Sequence, residues 1–176
     1  MNTIMASMGG GTTALIICMV YSRVQKTVST TYDVSLIMNG ILGSLVSITS
    51  ICTMCHPWQA ILIGSFGTVL CFFSGLFFYA MKIDDPVGVL PVHLVAAVWG
   101  LLCVGLFVEP HHTFGEAEGT GGLFITGEFY LLGVQIATAL CITVWTSITS
   151  YIVLKVIILV IALAIKSSKA LINYQC

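Results

Sequence analysis

Long runs of apolar residues alternate with short polar stretches along the chain. The runs lie at about 3–21, 34–54, 58–80, 87–108 and 123–165, each at least near the roughly 20 residues that a helix needs to cross a bilayer. Glu128 and Lys155 interrupt the last run, which confines its span to about 129–154 and leaves an apolar continuation after Lys155. Alternation of apolar and polar positions is missing inside the runs, which excludes membrane β-strands. Backbone N–H and C=O groups in lipid must be bonded within their own segment, so the runs are helices. The pattern predicts an all-α integral membrane protein of about five transmembrane helices, with a membrane domain over residues 1–165 and a short cytoplasmic tail over 166–176. Small residues recur at helical spacing: Gly40, Gly43, Ser44 and Ser47; Ser7 and Gly11; Gly64 and Thr68. Such faces let helices approach closely in lipid.

Composition points the same way. The chain is 58% hydrophobic and 7% charged, where a soluble domain carries roughly a quarter charged residues. The net charge of −1 says nothing about nucleic acid, but the lack of a basic run or RNA-binding motif argues against such a partner. The six basic residues add an orientation. Arg23 and Lys26 follow the first run, Lys82 the third, and Lys155, Lys166 and Lys169 the fifth, so five spans place them all on one side. The positive-inside rule then puts Met1 outside and Cys176 in the cytoplasm. No cleavable leader is expected after Met1. Most of the seven cysteines lie in apolar runs, where they act as small hydrophobes.

Three places carry candidate chemistry. In "DDPVGVLPVHLVAAVWG", Asp85 and Pro86 read as N-cap and first residue of a helix, and Asp84 adds negative charge near the positive end of its dipole. His93 follows eight residues after Asp85, about 12 Å along the axis. A polar group at that depth usually faces a bundle interior or a water-filled path. A neutral imidazole has one donor and one acceptor nitrogen, so it could pass a proton or hold a small polar solute; the alternative is a packing bond to another helix. "CTMCH", Cys52 to His56, matches the c-type haem attachment pattern, with a disulfide or no special role as the other readings. His111 and His112 with Glu109, Glu116 and Glu118 fit no standard metal spacing and read as a solvated loop. No cofactor and no metal is expected.

The string "IDDPVGVLPVHLVAAVWGLLCVGLF" resembles the tenth transmembrane helix of ammonium transporters, in the Amt/Mep branch of the Amt/Mep/Rh family. In order, "SLIMNGILGSLVSIT", "HPWQAILIGSFG" and "LLGVQIATAL" resemble the eighth, ninth and eleventh helices, and "NTIMASMGGGTTALI" the seventh. The resemblance implies an eleven-helix fold with inverted repeats, a multi-pass protein of the plasma membrane, a homotrimer with one narrow pore per subunit, and ammonium or ammonia (methylammonium as analogue) as the transported species. It implies that His93 is the second histidine of the pore's twin-histidine centre; Val89 and Ala97, four residues to either side, would share its face and line the same path. Nothing here resembles the first six helices, the first histidine or the charged cytoplasmic tail. The chain is therefore expected to be a C-terminal fragment or a short form. Two other readings are a non-transporting subunit that modulates full-length transporters and, from Cys52, Cys55 and His56, a haem-bearing electron carrier.

Overall fold

The apolar runs fold as helices in the computed structural model, which describes residues 1–24, 34–112 and 119–175; no strand occurs among the described residues. The elements are α1 (Asn2–Val24), α2 (Val34–Thr49), α3 (Pro57–Ala80), a π-helical segment (Leu90–Val95) running directly into α4 (Ala96–Phe107), a 3₁₀ turn (Pro110–His112), α5 (Leu123–Thr126) and α6 (Tyr130–Gln175). Four stretches are long and apolar enough to cross a membrane: Asn2–Val24, Pro57–Ala80, Leu90–Phe107 and Tyr130–Ala162. Lys26, Glu116, Glu118 and Cys176 lie outside the described residues.

α2 is shorter than its apolar run. It ends at Thr49 after 16 residues, about 24 Å of helix, where the run suggested continuation to residue 54. The Thr49 hydroxyl donates to Val46 O (2.7 Å), and the backbone tightens into i→i+3 bonds from Ile51 N to Ile48 O (3.2 Å) and from Met54 N to Ile51 O (2.9 Å). Asn2, at the start of α1, closes the turn by donating its amide to Cys52 O (2.9 Å) and Cys55 O (2.6 Å). α3 then starts with a proline at its first position, and the Gln59 side chain accepts the His56 N–H at 2.7 Å. A proline loses nothing there, because the first N–H groups of a helix have no internal partner.

The chain forms two compact units, Met1–Ile136 and Ala137–Cys176. In the first, α1, α2 and α3 pack on one another, and α4 packs on α2 and α3. Small residues make the contacts. Gly40, Gly43, Ser44 and Ser47 of α2 are buried, as are Gly64 and Thr68 of α3. On α1 the buried face is Ala6, Gly9, Gly10, Ala14 and Cys18, with Ser7 and Gly11 only half-buried. Both sets have helical spacing, and the partner decides between them. A Cβ at Gly64 would stand 2.5 Å from Ala6 O, so α1 and α3 touch backbone to backbone. Thr68 Oγ1 adds a bond between helices, donating to Gly40 O at 2.8 Å. Ala6, Ile48, Ile51, Ala60, Ile63 and Cys103 form a buried apolar cluster.

The second unit is the body of α6, whose described large apolar side chains are exposed. Its hydroxyls bond to carbonyls one turn back, as from Thr143 to Ala139 O (2.7 Å), Ser147 to Thr143 O (2.7 Å) and Thr149 to Trp145 O (2.9 Å). Polar groups satisfied in this way can face hydrocarbon. The Lys155 ammonium lies 5.5 Å from the Tyr151 ring centroid.

Candidate functional site

Asp84, Asp85 and Pro86 lie in the connection between α3 and the π-helical segment. Asp84 and Asp85 line an open cavity of about 720 Å³ together with Lys82 and Tyr79. Pro86 is not the first helical residue. It sits in a turn, and the helix starts four residues later, because Gly88 takes a left-handed φ of +74°. Asp85 reaches across this turn, accepting the Val89 N–H on one carboxylate oxygen and the Leu90 N–H on the other, both at 2.8 Å. The Leu90 N–H is the largest cause holding the Asp85 carboxyl below its ordinary range; some desolvation opposes it, and the Val89 and Gly88 N–H groups add to it.

A pH dependence follows. The folded state favours the ionised carboxylate, so its contribution is complete above the ordinary value of 3.8 and disappears as pH falls through the lower folded value. In amide exchange, Val89 and Leu90 should stay protected at pH 4, and Asp85→Asn should weaken that protection already at neutral pH. Equal exchange in both proteins at neutral pH would contradict the capping role.

The π-helical segment carries His93. Its backbone bonds run five residues, as from Ala96 N–H to Pro91 O. Pro91, Val92, Ala96, Gly100 and Cys103 are the buried side of this stretch, against α2 and α3. Val89 and His93 are exposed and Ala97 is half-buried, so these three lie toward the opposite side. Among the described residues no side chain bonds the His93 ring. π turns appear often at functional sites, because the extra residue re-aims a side chain without ending the helix.

A second polar group lies where the end of α4 meets the start of α3. Glu109 sits between two imidazoles: His56 Nε2 is 2.7 Å from one carboxylate oxygen and His111 Nε2 is 3.1 Å from the other. Residue spacing did not reveal this, because His56 and Glu109 are 53 positions apart. The geometry gives the haem reading no support. Cys52 and Cys55 pack against the buried cluster, while the His56 nitrogen that would take iron bonds Glu109. Burial is the main cause that raises the Cys55 thiol, followed by the neighbouring Cys52.

Apolar helices of spanning length, packed through small residues, with one imidazole exposed on an otherwise apolar helix, define a multi-pass α-helical membrane protein. The chain belongs to the Ammonium Transporter Family, whose sequence profile matches residues 1–173. A Caenorhabditis elegans protein provisionally named ammonium transporter 3 is 38% identical over 153 residues, 86% of this chain and 21% of that protein. Ammonium transporter 1 member 3 of Solanum lycopersicum is 33% identical over 126 residues, 67% of this chain and 27% of that one. Among solved structures, Saccharomyces cerevisiae Mep2 superposes with a TM-score of 0.66 at 26% identity, over 82% of this chain and 32% of Mep2. The chain thus spans about a fifth to a third of the length of the relatives it matches.

Proposed function

We propose that the chain supplies one wall of an ammonium-conducting pore, with His93 as its polar centre and Val89 and Ala97 beside it along the path. The observation that carries this reading is the exposure of His93 on the side of its helix turned away from α2 and α3. An imidazole left toward lipid is costly. Facing the other half of an inverted-repeat pore, it would meet a second polar group and a narrow file of ammonia or ammonium. Hydrated metal cations would be rejected there, since apolar walls do not replace their water. The reading includes a homotrimer in the plasma membrane, with the Met1 end outside and residues 166–176 in the cytoplasm. The two acids Asp84 and Asp85 then lie at the cytoplasmic mouth, and the His56–Glu109–His111 group lies outside.

The test is growth of cells that lack ammonium transport, on low ammonium. His93 needs helices that these 176 residues do not contain, so the chain expressed alone should not support growth. Co-expression with the first six helices of a related transporter should restore growth at least in part. Robust growth on the 176 residues alone would overturn the reading.

A further inference from the structure

The ring of His93 is held by no side chain among the described residues, so its direction is inherited from its backbone. That backbone is unusual just before the histidine. Val87 O lies in the turn before this helix, and Pro91, four residues on, has no N–H to offer it. Asn39 of α2 fills the gap by donating its side-chain amide to Val87 O at 3.2 Å. Gly88 makes this approach possible: its φ is +74°, and a Cβ there would lie 2.5 Å from Asn39 Nδ2. On the far side of the proline, Pro91 O accepts both the Ala96 N–H and the Cys71 thiol of α3, the latter at 3.2 Å. The π turn is therefore pinned from two neighbouring helices. Beside the pins is a cavity of about 250 Å³ that includes Asn39, Cys71, Gly75, Gly88 and Pro91 in its lining, so a released turn has room to move.

We propose that Asn39, with Gly88 as its seat, is a positioning residue for transport: by holding Val87 O it keeps the Pro91 turn in π register and thereby aims His93 into the path. This rests on the pore reading above. Asn39 touches no transported species in this account and acts only through the backbone that carries the histidine.

The experiment measures methylammonium uptake, as Vmax and KM, in the chain completed by the first six helices of a relative. The variants are Asn39→Asp, Gly88→Ala, His93→Ala and the double variant Asn39→Asp/His93→Ala, compared at equal surface expression. Asn39→Asp keeps the volume but removes the donor, setting a carboxylate against a carbonyl. Gly88→Ala displaces the amide without changing α2, so it decides the matter if Asn39→Asp does not accumulate. Each single change at Asn39 or Gly88 should lower Vmax about tenfold, with KM changing less than about threefold, as expected when a bound species is kept but its passage is misaligned. The double variant should be no worse than His93→Ala. If His93→Ala is impaired but Asn39→Asp and Gly88→Ala carry at the unaltered Vmax, the positioning role is wrong and the pore reading stands. If the losses at Asn39 and His93 multiply, Asn39 acts independently of the histidine and the proposal also fails. Normal uptake by His93→Ala would remove the pore reading itself.

Discussion

In a completed pore, His93→Ala will lower methylammonium uptake by about fivefold to 150-fold, the factor expected when a polar species loses one buried hydrogen-bond partner worth about 1–3 kcal/mol. The loss should appear without a change in the amount of assembled protein. His93 is exposed in this chain; the buried side of its helix is made by Pro91, Val92, Ala96, Gly100 and Cys103. Replacement by alanine leaves those contacts in place. His93→Gln, which keeps a donor and an acceptor at a similar distance, should recover part of the uptake. Unchanged uptake in His93→Ala at equal surface expression would return the residue to a packing role.

The second large effect concerns folding. Gly64→Ala adds a single methyl, yet that methyl would face the Ala6 backbone, with Ala6 O at 2.5 Å and Ala6 C at 2.9 Å. Backbone cannot rotate away as a side chain can, so α1 must move off α3. Overpacking of this kind costs roughly 1–3 kcal/mol, and we place Gly64→Ala near 3 kcal/mol because the obstacle is main chain. Gly133→Ala makes the contrast. It lies in α6 with nothing within 4 Å of an added Cβ, so only helix propensity acts, and the change should stabilise by up to about 1 kcal/mol. Thermal unfolding in the same detergent should move in opposite directions for the two variants. A shift of the same sign and size in both would show that the α1–α3 contact does not limit stability.

Hydropathy made the spanning helices legible, because it reflects a solvent rather than any one contact. His93 was legible for a related reason: it is a lone imidazole in an uncharged run. Features set by partners were harder to read. The start of the His93 helix looked like Asp85–Pro86, a local signal, but Gly88 and the missing N–H of Pro91 delay it to Leu90. Gly88 and Pro91 together could have announced that break. On α1, Ser7–Gly11 and Ala6–Gly10 are equally small, and the positions of Gly64 against Ala6 and of Ser44 and Thr68 against Gly10 select the second pair. The bond from Asn39 to Val87 O joins residues 48 positions apart, and nothing in a single sequence marks it.

A π turn holds one residue more than the α turn it replaces, so the Leu90–Val95 segment acts as a phase shifter between two lengths of chain. Deleting one residue from it while restoring α geometry keeps those two lengths in phase, because six π residues turn through about the same angle as five α residues. Winding all six residues as α-helix, with none deleted, would swing everything on one side of the segment by about 100° relative to the other. Either His93 would turn toward α2 and α3, or Ala96, Gly100 and Cys103 would leave them. A single-residue length change placed in the 119–122 connection, which breaks no helix, should be absorbed locally. Tolerance to length changes in this helix is thus set by rotational phase, and the six residues around the histidine should take a deletion better than an insertion.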